Sequence, residues 1–171
     1  GRLLAPVIER LREAGCEIRC GGSEIALKSS GKLTAVSPVT TAPYPGFPTD
    51  AQAILMAAVL RAKGESVFQE TVFERRFLHV PELRKLGADI ALSGKTARVR
   101  GVSDLHGAML RAEDLRGAAA LITAGLLAEG ESEVLGLSHL ARGYENLEQN
   151  LKNLGAAIKS VDIPAPFVYN T

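Results

Sequence analysis

Hydrophobic and polar positions along the chain repeat in a long pattern. An octet that starts with Leu and ends with Ile occurs three times, at residues 11–18, 83–90 and 151–158. Each copy predicts the last turn of a helix, a Gly in the left-handed position after it, and a strand that begins at the Ile. The first two copies lead into predicted β-hairpins with Gly-containing turns, at 17–20 with 24–28 and at 89–92 with 97–101. The octet therefore marks the end of a repeated unit.

Two longer segments are apolar nearly all the way round a helix. They are predicted at residues 51–62, after Pro48-Thr49-Asp50, and at 115–128, after Ala112-Glu113-Asp114. Helices without a polar face belong inside a domain. Each is followed by a Gly and a predicted strand, at 65–70 and 131–135. Shorter helices predicted at 80–86 and 144–154 carry a charged face and are expected to be partly exposed.

The repeated unit is a strand, a buried helix, a strand, an exposed helix and two more strands. Two full copies and part of a third are present. This order predicts an α/β (α+β) fold, an inverse α/β repeat domain with a pseudo-threefold arrangement, apolar helices inside and small sheets outside. We assign residues 1–161 to this domain, with an incomplete first unit. The prolines of residues 162–171 exclude a helix there, so that segment is assigned as a terminal extension.

Composition limits the classes of partner. The chain has 171 residues, 46% of them hydrophobic, and a formal net charge of +1. Such a balance gives no electrostatic basis for binding nucleic acid or an anionic membrane surface. The longest apolar run, Ala118–Leu127, is shorter than the roughly 20 residues of a membrane span. Anion binding, if present, has to be local.

The two cysteines do not predict a metal site. Cys16 and Cys20 lack the second pair of ligands that a structural zinc site needs. Packing in the core is the simpler role for both thiols. Low cysteine content fits a reducing cytoplasm, and we expect a cytoplasmic protein without a metal.

Candidate chemistry lies at equivalent points of the repeat. Asp50 and Asp114 both begin a buried helix, and Arg76 and Arg142 are both predicted at the start of a shorter helix, with Arg116 two residues after Asp114. Arginines that converge near helix N-termini form an anion site, and a carboxylate beside them can act as a general base. The alternative is that the aspartates are plain N-caps and the arginines solvated surface charges.

The segment that precedes Asp50 favours the functional alternative. Residues 40–49 contain three prolines and a glycine directly before a buried helix. Such a loop has few alternative conformations, and a rigid loop that aims one carboxylate is typical of a functional site.

Four ordered motifs carry a family resemblance. They are Pro45-Gly-Phe-Pro-Thr-Asp50-Ala-Gln52, Glu70-Thr-Val-Phe-Glu-Arg-Arg-Phe77 with His79-Val-Pro-Glu82, Ala112-Glu-Asp-Leu-Arg-Gly117 and Ala141-Arg-Gly-Tyr-Glu145. In these motifs the chain resembles the carboxy-terminal part of the enolpyruvyl transferases that act on UDP-N-acetylglucosamine, over about Leu3 to Val161. The sister family that acts on shikimate 3-phosphate shares the architecture, but the Phe-Pro-Thr-Asp and Arg-Gly-Tyr-Glu motifs do not resemble it.

The resemblance implies a reaction and a partner domain. The family closes two inverse α/β domains over its substrates and transfers the enolpyruvyl group of phosphoenolpyruvate to the 3-hydroxyl of UDP-N-acetylglucosamine, the first committed step of peptidoglycan synthesis. No metal or organic cofactor is implied. The family's proton-donor cysteine and a Lys-Asn pair that meets phosphoenolpyruvate belong to an amino-terminal domain that this sequence does not contain. The chain alone is therefore expected to be one inactive wall of the site.

The resemblance also implies residue roles. Asp50 is the candidate base and contacts the sugar hydroxyl, while a backbone group of Val72 meets the nucleotide sugar. Arg116 and Arg142 resemble clamps for phosphoenolpyruvate, with Asp114 beside them, and Arg76 resembles an interdomain or closure contact. The catalytic set is thus Asp50, Asp114 and Arg142, and the substrate-binding set is Asp50, Val72, Arg76, Arg116 and Arg142. Two other functions stay open: a non-catalytic module that binds nucleotide sugars or anions, and a structural repeat scaffold.

Overall fold

The computed structural model describes residues 2–161, so the predicted extension at 162–171 lies outside the described residues. Its α-helices are α1 (Ala5–Glu13), α2 (Thr49–Ala58), α3 (Val80–Lys85), α4 (Leu115–Gly125) and α5 (Leu147–Asn153). Short 3-10 helices lie at Arg2–Leu4 and Leu137–Arg142. The strands are β1 (Glu17–Gly21), β2 (Glu24–Lys28), β3 (Val39–Thr40), β4 (Glu65–Gln69), β5 (Asp89–Ser93), β6 (Thr96–Arg100), β7 (Met109–Arg111) and β8 (Glu133–Leu135). This mixture of helices and small sheets is the α/β class that the repeat predicts.

The sequence repeat corresponds to a repeated strand–helix–strand unit. Strand β3 pairs in parallel with β4, and α2 connects them; β7 pairs in parallel with β8, and α4 connects them. Isolated parallel bridges occur beside both pairs, Thr34 with Lys63 and His106 with Glu129. Parallel strands require such a crossover connection, which is usually helical. The two buried helices therefore occupy equivalent places in their units.

Helices α2 and α4 pack against each other at the centre of the core. Leu121 of α4 and Met56 of α2 are both fully buried. Along α4, residues 117–122 and 124 are buried, which leaves almost no exposed face. The prediction that the all-apolar helices lie inside the domain is confirmed. No helix within residues 2–161 is long and apolar enough to cross a membrane.

Small sheets lie outside these helices. Strands β3, β4, β6 and β5 form one sheet in that order, with β6 antiparallel to both of its neighbours. Phe68 of β4 lies opposite Ala97 of β6, and both are fully buried against the core. The hairpin of β1 and β2 pairs as predicted, but every residue of β2 is exposed. In the same hairpin Cys20 is exposed while Cys16 is buried, so the core-packing prediction is wrong for Cys20.

The three octets end their helices in the same way. Gly15, Gly87 and Gly155 have φ angles of 101°, 95° and 92°. In each copy the backbone N–H of the residue after this glycine donates a hydrogen bond to the carbonyl five residues earlier. The Cys16 N–H, for example, donates to the Leu11 carbonyl at 2.9 Å. This pattern is a Schellman C-cap, which needs a left-handed residue that glycine adopts without strain. The octet prediction is confirmed for the helix ends.

Several predicted boundaries are wrong at one end. Helix α2 ends at Ala58 instead of residue 62, because the chain tightens after Val59 into i→i−3 turns that lead to Gly64. The same tightening ends α4 at Gly125 instead of residue 128. The last helix begins at Leu147, after Asn146 with a φ of 50°, and not at residue 144.

The third octet also differs from the first two after its glycine. No strand begins at Ile158 in the stretch up to residue 161. The first two octets continue into a hairpin whose second strand completes the ladder, whereas the described residues place no such partner beside Ile158. A strand requires a neighbouring strand to satisfy its backbone N–H and C=O groups. The octet pattern alone therefore does not produce a strand at Ile158.

The packing of α2 on α4 predicts where truncation is costly. We expect Leu121→Ala, at a fully buried position of α4, to lower the free energy of unfolding by about 2–5 kcal/mol. Leu126→Ala, just after α4 at a position that is 42% exposed, is the matched control and should cost under about 1 kcal/mol. Urea unfolding followed by circular dichroism measures both, and equal losses would contradict a core centred on the two helices.

Candidate active site

The proline-containing loop before α2 is closed by its own backbone. The Ala42 N–H donates to the Phe47 carbonyl at 3.0 Å, and the Gly46 N–H donates to the Pro43 carbonyl at 2.8 Å. The Phe47 side chain is buried in the core. A Cβ on Gly46 would lie only 2.5 Å from the Ala42 Cβ, so this turn requires glycine. The loop is thus fixed at both ends, as expected from its composition, and leads directly into Asp50.

Asp50 lies in the first turn of α2 but does not cap it. Helix α2 starts at Thr49, its N-cap residue is Pro48, and no side chain caps it. The Asp50 carboxylate instead binds two arginines, with Oδ1 accepting from Arg76 Nη2 at 2.5 Å and Oδ2 from Arg116 Nη2 at 2.6 Å. The N-cap alternative is wrong for Asp50. Three segments of the chain meet at this carboxylate.

The ion pairs are partly screened from water, and they shift the pKa values of Asp50 and Arg116. The side chains of Arg76 and Arg116 are only 15% and 24% exposed, whereas that of Asp50 is 55% exposed. Burial works to raise the pKa of the Asp50 carboxyl, but hydrogen bonds and charge from Arg116, and then from Arg76, outweigh it and hold the pKa below its usual range. The hydrogen bond that Arg116 donates to Asp50 raises the pKa of Arg116 in turn. The carboxylate is therefore ionised at neutral pH and faces solvent between two held cations.

Aromatic rings support both arginines. The Arg76 guanidinium lies 5.0 Å from the centroid of the Phe73 ring, and the Arg116 guanidinium lies 5.6 Å from that of Tyr144. Cations at such distances over a ring are attracted by its quadrupole. Phe73 is not among the predicted site residues. The solvated-surface alternative does not describe Arg76 and Arg116.

Asp114 is the N-cap of α4. Its Oδ1 accepts from the backbone N–H groups of Arg116 at 2.9 Å and Gly117 at 3.0 Å. A Cβ on Gly117 would lie 2.9 Å from the other carboxylate oxygen, so glycine leaves space for the cap. The plain-cap interpretation holds for Asp114, and its catalytic role stays a prediction. By capping α4, Asp114 fixes the backbone that carries Arg116.

Arg142 is the last residue of the 3-10 helix Leu137–Arg142, so it does not begin a helix as predicted. It is exposed, and the ion pairs found within residues 2–161 do not include it. The next residue, Gly143, lies against Leu115, because a Cβ there would come within 2.6 Å of Leu115 Cδ2. The structure therefore brings the Arg142 segment beside the start of α4 without joining its guanidinium to Asp50.

Val72 follows strand β4 across the cleft from the proline loop. Its backbone N–H donates to the buried carboxylate of Glu70 at 2.7 Å. The Val72 N–H is therefore already occupied, and a ligand can hydrogen-bond only to the Val72 carbonyl oxygen. The cleft beside Val72 has a volume of about 330 Å³. Its lining is formed by Leu3, Ala42, Pro43, Tyr44, Gly46, Pro48, Thr49, Asp50 and Val72.

The residues of this cleft offer no metal cage. Across residues 2–161, no group of three or more His, Cys, Asp or Glu side chains is placed to hold a metal ion. The cleft does offer the ionised Asp50 carboxylate and the Val72 backbone carbonyl, and the guanidinium groups of Arg76 and Arg116 adjoin it through their ion pairs with Asp50. That set suits a ligand with both hydroxyl and anionic groups.

Comparison with known proteins defines the class. The family model described as EPSP synthase (3-phosphoshikimate 1-carboxyvinyltransferase) matches residues 3–151, so the chain belongs to this family. Among solved structures, the enolpyruvyl transferase NikO from Streptomyces tendae matches with a TM-score of 0.81 and 35% identity, over 90% of this chain and 35% of that one. An EPSP synthase from Acinetobacter baumannii shares the fold at 18% identity, with a TM-score of 0.66 over 92% of this chain and 37% of that one.

The relatives with higher sequence identity carry the name of one particular carboxyvinyltransferase. The UDP-N-acetylglucosamine 1-carboxyvinyltransferase of Myxococcus xanthus is 53% identical over 153 residues, 90% of this chain and 36% of that protein. The enzyme of the same name from Staphylococcus epidermidis is 48% identical over 93% of this chain and 38% of its own length. These relatives confirm the resemblance seen in the motifs. The chain spans little more than a third of their length.

Two buried polar residues near the site are not among the predicted catalytic or substrate-binding residues. Glu70 is 1% exposed and His79 is 3% exposed. Glu70 opens one of the four motifs, but its hydrogen bonds to Thr41 and Thr49, 29 and 21 residues earlier in the chain, could not be seen from the sequence. His79 stands at the N-cap position of α3, its Cβ is close to Gly117, and within the described residues neither of its ring nitrogens has a hydrogen-bond partner.

His79 predicts a specific loss of stability in mild acid. Burial lowers the pKa of His79 from 6.5 to about 4, against an opposing effect of the Asp114 charge. The unfolded chain therefore takes up a proton near pH 6.5 that the folded chain takes up only near pH 4. Stability is retained above pH 6.5 and declines as pH falls through this window, by up to about 3 kcal/mol.

Urea unfolding at pH 7 and at pH 5 checks this expectation, with His79→Asn as the comparison. The variant should lose much less stability than the parent between these two pH values, because it lacks the imidazole whose pKa differs between the folded and the unfolded chain. An equal loss in both chains would show that His79 does not cause the effect.

Proposed function

We propose that the chain forms one wall of the active site of an enzyme that transfers the enolpyruvyl group of phosphoenolpyruvate to the 3-hydroxyl of UDP-N-acetylglucosamine and releases phosphate. In a cell this would be the first committed step of peptidoglycan synthesis, in the cytoplasm. The observation that carries the proposal is the ionised Asp50 carboxylate at the cleft, held between Arg76 and Arg116. The names of the relatives at 47–53% identity support the choice of substrates.

Asp50 suits the contact with the sugar hydroxyl. A carboxylate has about four lone-pair sites, and the two arginines occupy one on each oxygen. The remaining sites are free to accept the hydroxyl of the sugar without breaking either ion pair. Its low pKa makes Asp50 a weak base at rest, so the hydroxyl proton moves to it as the new carbon–oxygen bond forms.

Arginines suit the other substrate. Phosphoenolpyruvate carries a phosphate and a carboxylate, and planar guanidinium forks bind both kinds of group. We assign Arg116 and Arg142 to these anions and Arg76 to the contact that closes the site. Asp114 contributes by holding the first turn of α4, and the Val72 carbonyl accepts from the nucleotide sugar.

The reaction needs a second wall. Protonation at the methylene carbon of phosphoenolpyruvate makes its neighbouring carbon electrophilic, and the sugar oxygen bonds to that carbon. Loss of phosphate and of one methyl proton then restores the double bond in the product. The proton donor is assigned to the amino-terminal domain that this sequence lacks, and guanidinium groups stabilise the charge of the tetrahedral adduct. No cofactor takes part in this scheme.

One alternative keeps a specific observation in its favour. Two held guanidinium groups beside an accessible carboxylate can bind a nucleotide sugar or an anion without turning it over, as a non-catalytic module would. The repeat scaffold without a ligand is disfavoured, because a scaffold does not need a partly exposed carboxylate held by two cations on aromatic rings.

The role of Asp50 is testable in a chimaera. In this chimaera the 153 residues of the Myxococcus xanthus relative that match this chain are replaced by their counterparts from this chain. We expect Asp50→Ala to lower kcat by roughly 10²–10⁴-fold, the usual contribution of a general base. The melting temperature should change by only a few degrees, because Asp50 itself is more than half exposed and ion pairs with an exposed partner contribute little to stability. Phosphate release in the presence of both substrates measures kcat.

Glu65→Ala is the matched control. Glu65 also pairs with two arginines, Arg98 and Arg100, but it lies on β4 in the outer sheet. Turnover should be unchanged in this variant. Near-normal turnover by Asp50→Ala would contradict a catalytic role for that carboxylate.

The chain by itself should fold but show no turnover. Catalysis needs the substrates enclosed between two walls and protonated from the far side. Phosphate release from phosphoenolpyruvate that depends on UDP-N-acetylglucosamine should be absent with the purified chain and present with the chimaera. Turnover by the chain alone would show that its own residues supply the proton.

A further inference from the structure

Glu70 is a buried carboxylate that accepts hydrogen bonds from four groups. It is 1% exposed. Its Oε1 accepts from the Thr41 hydroxyl at 2.8 Å and from the backbone N–H groups of Val72 and Phe73 at 2.7 and 2.9 Å. Its Oε2 accepts from the Thr49 hydroxyl at 2.9 Å. Burying a charge this deeply is costly unless hydrogen bonds satisfy it, and here they do.

These four donors belong to three different parts of the site. Thr41 lies at the base of the proline loop, Thr49 is the first residue of α2, and Val72 with Phe73 forms the loop after β4. Two of the donors are immediate neighbours of functional groups, because Thr49 precedes Asp50 and the Phe73 ring carries the Arg76 guanidinium. A single side chain thus joins the two sides of the cleft.

The hydrogen bonds also dominate the titration of the group. Burial raises the pKa of Glu70, but the N–H of Phe73, the Thr41 hydroxyl and the other donors outweigh it and hold the pKa below its usual range. Glu70 is therefore an ionised acceptor that does not exchange protons at neutral pH. It is too enclosed to meet a substrate.

We propose that Glu70 is a positioning residue of this site, whose carboxylate holds the start of α2 and the 71–73 loop together and thereby sets the separation of Asp50 from the Val72 carbonyl. This inference rests on the proposed function for its effect on turnover. The local geometry it describes is independent of that function.

Two substitutions separate geometry from charge. Glu70→Gln keeps the length of the side chain; its Oε1 can accept from Thr41, Val72 and Phe73, and its amide can donate to Thr49 after the hydroxyl turns round. Glu70→Asp keeps the charge but is one methylene shorter, so it cannot reach Thr49 and the 71–73 loop together. Positioning predicts that Asp is the worse replacement. A long-range effect of charge on Asp50 predicts that Gln is the worse one and shifts the pH profile.

Ser66→Ala is the matched control. Ser66 is 1% exposed on β4, the strand that Glu70 directly follows, and its hydroxyl accepts a hydrogen bond from the Val36 N–H at 3.0 Å. It lies at the opposite end of β4 from Glu70. Its loss should lower stability without changing the cleft.

Kinetics of the chimaera give the first measurement. We expect Glu70→Asp to lower kcat/KM for UDP-N-acetylglucosamine roughly 100-fold, the scale of a small misplacement of reacting groups, while KM for phosphoenolpyruvate stays unchanged. Glu70→Gln should stay within about 10-fold of the parent and keep its pH profile. Equal behaviour of Glu70→Asp and Ser66→Ala, or a Gln variant worse than the Asp variant, would overturn the proposal.

Amide hydrogen exchange of the chain alone gives the second measurement and does not depend on turnover. Glu70→Asp should speed exchange at Val72, Phe73 and the first turn of α2, and Ser66→Ala should not. An inactive parent chimaera would count against the proposed function, and the exchange result would then decide the role of Glu70. Unchanged exchange at Val72 and Phe73 in Glu70→Asp would overturn it.

Discussion

The side-by-side packing of two buried helices determines the rest of the structure. Because α2 and α4 occupy equivalent places in repeated units, their first turns come to the same end of the core. Asp50 and Arg116 are 66 residues apart in sequence, yet their side chains are 2.6 Å apart. Residues with no local relation are thus brought into contact by burial of apolar surface, which is the dominant favourable term in folding. The site follows from the core.

The electrostatics of the site depend on how its charged groups are held. Asp50 is more than half exposed, whereas the arginines that bind it are largely covered and supported by aromatic rings. Exposed ion pairs add little to stability, so this cluster is better understood through preorganisation than through folding energy. Fixed cations around an accessible carboxylate require little rearrangement when an anionic substrate arrives.

The sequence predicted the elements that repeat and missed those that do not. The octets indicated three helix ends, because a left-handed glycine after a helix has one structural meaning. The apolar segments indicated the buried helices, and their equivalence indicated a shared site for Asp50, Arg116 and Arg142, of which Arg116 contacts Asp50. Pro48 takes the N-cap position of α2, which left Asp50 free to pair with arginines, and spacing alone could not distinguish that outcome from a cap.

Other features were beyond any local pattern. Two of the four donors to Glu70 lie 29 and 21 residues before it, so the sequence around Glu70 does not show that it joins the proline loop to the start of α2. The strand expected at Ile158 did not form, because strands depend on neighbours and not on composition alone. Tyr144 belongs to one of the four motifs, but its contact with Arg116 required the chain to return beside α4.

A structure of the chimaera with UDP-N-acetylglucosamine bound tests the central claim most directly. The account predicts that the 3-hydroxyl oxygen of the sugar lies about 2.7 Å from an Asp50 carboxylate oxygen, the ordinary length of such a hydrogen bond, while Arg116 still contacts the same carboxylate. A sugar bound away from Asp50, or a carboxylate that contacts only its arginines in the complex, would contradict it.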